Sequence, residues 1–211
     1  MPRSLVVAMT ACVLAVPAGA QTKSRIPLRL STQSELSLDG TSTMHGFTCR
    51  TSNIHAAIEV DSTYTPANLQ TLKAGLRRAD ITIPVKSLTC GERKMDDNMY
   101  KTLEADKYPD IQYTLVDTQI VPGSQAGDSI AIKVNGQLTI AGQTHPVTLD
   151  VEVIRAVDGT ATGRGTVNIL MSDFGIKPPS FFFGRLKVDD RIAIRFDLGV
   201  SAPTVVAVGA P

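Results

Sequence analysis

Side chains that could catalyse a reaction are common in this sequence, but their arrangement does not indicate an active site. Ser42, His45 and Asp173 supply the three residue types of a hydrolytic triad. A chain this rich in Ser, Thr and Asp offers such triples by chance, and no G-x-S-x-G motif accompanies this one. We therefore predict that the protein is not an enzyme. A hydrolase acting on a hydrophobic substrate is the catalytic alternative.

The three histidines do not form a pattern typical of a metal site. His45, His55 and His145 are far apart in the sequence and show no ligand spacing. No metal and no cofactor is predicted.

Two cysteines, Cys49 and Cys90, lie outside the N-terminal apolar run that contains Cys12. An isolated pair in an exported protein favours a disulfide, which would close a loop of about forty residues. Two free buried thiols or a regulatory pair are the alternatives. Neither residue belongs to a C-x-x-C motif, which argues against an oxidoreductase.

The N-terminus has the parts of a secretory signal peptide. Arg3 supplies the positive charge, Leu5 to Val16 form an apolar run, and Ala18-Gly19-Ala20 fits the small-residue rule for cleavage before Gln21. We expect residues 1–20 to be a signal peptide and the protein to be exported. No later run reaches the roughly 18 to 20 apolar residues of a transmembrane helix, so we expect no transmembrane segment in the mature chain.

The charge composition gives no sign of a nucleic-acid partner. The 211 residues include 21 basic and 20 acidic side chains, with no long block of either sign. This composition indicates neither a nucleic-acid footprint nor an anionic-membrane patch.

The elements that must position any site are β-strands. Ile130 to Ile140 and Val147 to Val153 alternate apolar and polar residues with period 2, which predicts a long hairpin. Similar alternation elsewhere gives about eight antiparallel strands, and Met95, Met99 and Leu103 mark one helix over 94–105. A sheet with one apolar face loses its edges when it closes into a barrel, so we predict an all-β barrel. Residues 201–211 are predicted to be a flexible tail.

Five stretches of the chain resemble the YceI family of secreted, lipocalin-like barrels. They are GTSTMHGFTC at 40–49, KMDDNMYKTLEADKYPDIQYTL at 94–115, VNGQLTIAGQTHPVTLDVEV at 134–153, SDFGI at 172–176 and VDDRIAIRFDLGV at 188–200. The resemblance implies one domain over 21–200, an extended eight-stranded antiparallel barrel with its helix near the opening. It also implies export to the bacterial periplasm or beyond, a pore that binds a long isoprenoid chain, and no known catalytic cycle.

Two positions depart from the family pattern. Phe47 stands where many relatives carry Trp, and the helix reads Met95-Asp96-Asp97-Asn98-Met99 where Arg-Asp-x-His-Leu is commoner. Both positions lie where the resemblance places the rim of the pore, so the headgroup preference is expected to differ.

The candidate ligand-binding residues are side chains of inward parity together with the apolar residues of the helix and its surroundings. For His45, which in the matching motif would donate a hydrogen bond to a ligand headgroup, the alternative is that it ties down the loop that contains it. For the other residues, ordinary core packing is the alternative interpretation. The set comprises His45, Phe47, Ile81, Ile83, Met95, Met99, Leu103, Ile111, Tyr113, Leu115, Leu138, Ile140, Leu149, Val151, Phe182, Ile194 and Phe196.

We therefore expect an exported barrel that sequesters or carries a polyisoprenoid-like lipid, such as an isoprenoid quinone or a prenyl lipid. A structural or stress-protective barrel with a filled interior and no ligand is the main alternative. The sequence leaves open a homodimer, formed by an exposed edge or by the apolar patch of Phe181 to Phe183.

Overall fold

The structure is a computed structural model that describes residues 25–62, 75–156, 158 and 160–202. The predicted signal peptide therefore lies outside the described residues. Only the first two residues of the predicted tail, 201 and 202, are described. The strands are β1 (Arg25–Leu30), β2 (Glu35–Ser42), β3 (Gly46–Thr51), β4 (His55–Asp61), β5 (Leu76–Pro84), β6 (Asp110–Ile120), β7 (Ser129–Ile140), β8 (Gln143–Arg155), β9 (Ala161–Leu170), β10 (Ser180–Phe181) and β11 (Leu186–Ser201). Helix α1 spans Arg93–Thr102.

The predicted barrel is confirmed: neighbouring strands are antiparallel and the sheet closes on itself. The ring runs β1-β4-β5-β6-β7-β8-β9-β11 and returns to β1 through the pairs Arg29 with Ser201 and Leu30 with Val200. Strand β2 pairs with the first part of β11 and β3 pairs with β2. Because β1 and β2 lie end to end along β11, they act as one broken strand of an eight-stranded barrel.

The hairpin of β7 and β8 shows how the alternating pattern becomes structure. Twelve residues of β7 pair with β8 in one register, from Ser129 with Ile154 to Ile140 with Gln143. The two-residue turn, Ala141-Gly142, has positive φ at both positions (48° and 76°), as a type I′ turn requires. A β-carbon at Gly142 would lie 2.4 Å from the Tyr108 ring, so glycine is needed there for space as well.

The apolar interior is divided into two clusters. We call the one beneath α1 the mouth-side cluster; it includes the buried Leu88, Phe174 and Ile192. The other, the far-side cluster, consists of Ile130, Ile132, Val134, Val151, Val153 and Ala161. Most of these side chains have the inward parity that the sequence predicts. The mouth-side cluster lines one end of the barrel interior, and the far-side cluster lines the other.

Helix α1 ends earlier than the predicted residue 105. Glu104 adopts a left-handed φ of 50°. The Ala105 amide then donates to the Tyr100 carbonyl at 2.9 Å and the Glu104 amide to the Lys101 carbonyl at 3.1 Å. These two bonds form a Schellman motif, which usually has glycine at the left-handed position. The helix therefore stops at this motif, three residues before the predicted end.

The predicted disulfide is present and holds the start of α1 against the barrel wall. Cys49 of β3 is bonded to Cys90, 41 residues later. Next to it, the Arg50 amide donates to the Thr89 carbonyl at 2.8 Å and the Thr89 amide to the Arg50 carbonyl at 2.9 Å. The Asp96 carboxylate accepts from the Cys90 amide at 2.6 Å. The loop before α1 is thus fixed by one covalent bond and several hydrogen bonds.

Replacing both cysteines, in Cys49→Ser with Cys90→Ser, should lower the free energy of unfolding by roughly 4 kcal/mol. The estimate follows from the entropy of closing a loop of this length in the unfolded chain. Urea unfolding followed by circular dichroism measures the change. A reductant should destabilise the wild type by a similar amount and leave the double variant unaffected. Equal stability of the two proteins would show that the disulfide does not constrain the unfolded chain.

Candidate functional site

The barrel encloses a cavity of about 730 Å³, which is within the size range of small-molecule sites. Its wall is made mainly of Val, Ile, Leu, Met and Phe side chains and includes members of both clusters. Well-packed interiors contain few voids larger than a water molecule. This interior is therefore an open lumen in which the side chains coat the wall and do not fill the centre.

Two aromatic residues, Tyr113 and Phe196, form what we call the waist of the lumen, because each packs against both clusters. Each ring lies over a glycine. A β-carbon at Gly136 would lie 2.3 Å from Cζ of Tyr113, and one at Gly165 would lie 2.5 Å from Cζ of Phe196. The two glycines let the rings lie against the wall, and this keeps the waist open.

The Tyr113 hydroxyl is a buried polar group in this apolar wall. Its oxygen is buried and has no hydrogen-bond partner among the described residues. Burial raises the pKa of Tyr113 to about 12, and the nearby Asp117 carboxylate adds to the effect. A buried hydroxyl without a partner costs free energy. The hydroxyl therefore provides an unused donor at the waist.

The mouth of the lumen is formed by three segments. They are the turn between β2 and β3 with Met44 and His45, helix α1 with Met95 and Met99, and the segment from Pro179 to Val188. The Tyr100 hydroxyl donates to the Leu88 carbonyl at 2.6 Å and so anchors the other side of α1. Asn98 and Thr102 supply a few polar atoms at this rim.

His45 lies at the rim and is exposed. Its Nδ1 is 2.9 Å from the Gly46 carbonyl oxygen, and since a carbonyl only accepts, Nδ1 must donate. Nε2 of the neutral ring is then an acceptor, and it becomes a donor only when the imidazole is protonated. The contact with Gly46 fits the loop-tying interpretation of His45, while the ring also borders the cavity.

The structure brings together most of the residues that the sequence proposes for ligand binding. Leu115 is an exception, because it packs against the far-side cluster next to a bulge in β6 and is not part of the cavity wall. The side chain of Phe182 lies outside the described residues. The cavity wall contains His45, Phe47, Ile81, Ile83, Met95, Met99, Leu103, Ile111, Tyr113, Leu138, Ile140, Leu149, Val151, Ile194 and Phe196.

Sequence reasoning missed several wall residues at both ends of the lumen. At the mouth these include Met44 and Leu186, and at the far end Val153 and Ala161. Val153 and Ala161 share the inward parity of their strands, so the alternation could have identified them. Met44 and Leu186 lie in or beside turns, where alternation gives no signal.

Ser42 and His45 do not form a nucleophile and base pair. The Ser42 hydroxyl donates to the main-chain carbonyl of His45 at 2.8 Å, while the His45 ring bonds to Gly46. Within the described ranges, no group of three or more His, Cys, Asp or Glu residues is placed to hold a metal ion. Among the same residues, no helix is long and apolar enough to cross a membrane.

Tyr113→Phe deletes a buried hydroxyl that has no partner among the described residues, so it should raise the free energy of unfolding by about 1 kcal/mol. It also removes a phenol whose pKa burial raises to about 12. The pKa is raised in the folded state, so the wild type should lose stability as pH rises from the unfolded value near 10 towards 12. Ultraviolet titration of phenolate and urea unfolding measure the two effects.

The matched control is Tyr100→Phe, which deletes a hydroxyl that donates to Leu88. This variant should lose about 1 kcal/mol of stability, in contrast to the gain at Tyr113. A loss of similar size in Tyr113→Phe would mean that its hydroxyl has a partner in solution.

Comparison with known proteins agrees with this geometry. The family model described as a YceI-like domain matches residues 30–200. No curated protein matches the sequence.

Solved structures share the fold at low sequence identity. Burkholderia cenocepacia BcnA is 21% identical, with a TM-score of 0.62 over 81% of this chain and 99% of its own. A polyisoprenoid binding domain from Saccharophagus degradans, implicated in plant cell wall breakdown, is 15% identical, with a TM-score of 0.60 over 84% and 99%. The Campylobacter jejuni YceI protein is 22% identical, with a TM-score of 0.54 over 72% and 82%.

Proposed function

The chain belongs to the YceI-like domain family, and from this premise we propose that it is an exported binding protein. Its ligand is an elongated apolar molecule of the polyisoprenoid type, held along the barrel axis. The protein carries or sequesters this ligand and does not transform it.

The open lumen is the observation that supports this proposal most directly. A packed structural barrel would fill its centre with side chains, whereas this one keeps about 730 Å³ free between two apolar clusters. Each buried methylene of a guest contributes about 0.8 kcal/mol before ordering costs. A long hydrocarbon would therefore bind without specific polar contacts, and the Saccharophagus degradans domain, which shares the fold, is named for polyisoprenoid binding.

The rim and the waist suggest how the ends of such a ligand would be accommodated. Asn98, Thr102 and His45 offer polar contacts at the mouth, where a headgroup would remain close to water. The hydrocarbon would extend past Tyr113 and Phe196 towards Val153 and Ala161. The methionines Met95 and Met99 of α1 adapt to varied guests because their side chains are unbranched and flexible.

Export is the second part of the proposal. The bond between Cys49 and Cys90 fits an oxidising compartment such as the periplasm. The sequence of residues 1–20 gives the same indication. We propose that these residues are a signal peptide, that 21–200 form the binding domain and that the final residues are a tail.

Mass spectrometry of organic extracts tests the proposal on protein purified without detergent from its native host. We expect a prenyl lipid in stoichiometric amount. We also expect added octaprenyl alcohol to raise the melting temperature of emptied protein, because a ligand that binds only the folded state stabilises it. Extracts that contain no prenyl lipid, together with no rise in melting temperature on adding octaprenyl alcohol, would favour a structural barrel with a filled interior.

Gly136→Ala should close the waist and weaken binding of a long ligand. The new β-carbon would lie 2.3 Å from the Tyr113 ring, which must turn into the lumen. We expect the affinity for octaprenyl alcohol to fall about 10-fold or more, a change of about 1.4 kcal/mol. Farnesol, which is short enough to remain on the mouth side, should lose less. Thermal shift titrations of both alcohols measure the difference.

Two variants control this experiment. Gly163→Ala adds a methyl group to another glycine of the wall, but its β-carbon would lie 3.5 Å from Val151, an ordinary contact. It should bind both alcohols as the wild type does. Adding Tyr113→Leu to Gly136→Ala should reopen the waist and restore binding of the long alcohol. Equal binding by wild type and Gly136→Ala would contradict passage of the ligand through the waist.

A further inference from the structure

Two exposed apolar side chains project from the hairpins at the mouth of the barrel. Phe183 is fully exposed, and Met44 is 73% exposed. The hairpins that carry them are bonded to each other: the Thr43 amide donates to the Lys187 carbonyl at 2.9 Å and the Thr43 hydroxyl to the Arg185 carbonyl at 3.1 Å. The two tips therefore belong to one side of the rim and are held in a fixed relation.

The backbone at Phe183 is held in a conformation that adds to the cost of exposing its ring. Phe183 has φ 58° and ψ 35°, and Gly184 follows with φ 86°. A left-handed conformation is unfavourable for an L-residue with a β-carbon. No burial of the ring inside the barrel offsets this cost. Contact with an apolar phase outside the chain would offset it.

Positive charge accompanies the tips. Lys177, Arg185 and Lys187 are exposed, and none of them forms an ion pair within the described part of the chain. The segment 175–188 contains no acidic residue; Asp173 precedes it, and Asp189 and Asp190, which accept hydrogen bonds from the Thr41 and Ser172 hydroxyls, follow it. On the other side of the rim, Glu92 and Lys94 offset each other. The three cations lie within one segment of eleven residues, and the hydrogen bonds of Thr43 place the turn that carries Met44 beside Arg185 and Lys187.

Apolar tips beside cations match the interface of an anionic bilayer. The side chains would enter the boundary between headgroups and acyl chains, while Lys and Arg contact lipid phosphates. A stable protein interface buries about 800 Å² on each partner. Two separate side chains expose a few hundred Å² at most, since one aromatic residue contributes about 150–250 Å². A soft lipid surface therefore fits them better than a protein partner does.

We propose that Met44, Phe183, Lys177, Arg185 and Lys187, the mouth patch, dock the barrel on an anionic lipid surface. Met44 also lines the cavity, so docking turns the open end of the lumen towards the lipid phase. This inference goes beyond ligand binding. It is tested without any isoprenoid, so it and the proposed function can fail separately.

Vesicle flotation tests the proposal with two compositions: phosphatidylcholine alone, and equal parts of phosphatidylcholine and phosphatidylglycerol. The purified protein keeps the same N-terminus in every variant, so differences report on the mouth patch. The wild type should float with the mixed vesicles at low salt and bind less as salt screens the charges. The combined variant Lys177→Gln, Arg185→Gln and Lys187→Gln should lose roughly a hundredfold in binding to mixed vesicles, at about 1 kcal/mol per cation.

The apolar tips are tested by Met44→Ser with Phe183→Gly. Binding should fall about tenfold or more on mixed vesicles. Glycine also removes the left-handed cost at 183, so the melting temperature should stay unchanged or rise. Reduced binding would then not result from unfolding. Val116→Ser, at a residue 63% exposed on the barrel wall, and Arg29→Gln, at the end of the barrel opposite the mouth, are the matched controls and should bind as the wild type does.

Three results would overturn the proposal. The first is that the wild type fails to float with mixed vesicles at low salt. The second is that the patch variants and the control variants bind these vesicles equally. The third is that light scattering shows a dimer that Phe183→Gly dissociates while no protein floats, which would assign the tips to a second copy of the chain.

Discussion

Closure of the sheet by β11 is the constraint on which the rest of the structure depends. This strand pairs with β9 along one edge and with β2 and then β1 along the other. An open sheet would expose two edges and would have no interior, whereas closure removes the edges and sets the diameter. Eight strands leave an interior that side chains can either fill or line. The lumen follows from closure together with small residues at the waist.

The functional interpretation rests on the shape and chemistry of this interior and not on a reactive group. Gly136 and Gly165 give space to Tyr113 and Phe196, which lie against the wall and leave the lumen continuous between the two clusters. Polar atoms are concentrated at the rim. Such a site discriminates by length and apolar character, and it retains a guest mainly through the hydrophobic effect. These features support the proposal that the barrel binds an elongated apolar ligand.

The sequence predicts the barrel well because period 2 is a direct consequence of strand geometry. The inward residues of β7 and β8, the disulfide and most of the cavity wall follow from it or from composition. The end of α1 does not, since Glu104 occupies a left-handed position that glycine usually marks. Leu115 has the inward parity that the alternation predicts and packs against the far-side cluster, but it is not part of the cavity wall, and parity alone does not separate these two positions. The apolar part of the mouth patch is not evident in the sequence, because Met44 and Phe183 come from separate hairpins.

The pairing of β1 with β11 also affects how the chain must fold. Arg29 meets Ser201, so the ring cannot close until almost the whole described chain is available. Contacts between such distant positions make folding slow, because the loop entropy is lost before the pairing energy is gained. Until then β1 and β9 present unpaired edges that can join other chains. A barrel of this topology therefore has its greatest risk of aggregation before completion, and the final strand ends that risk.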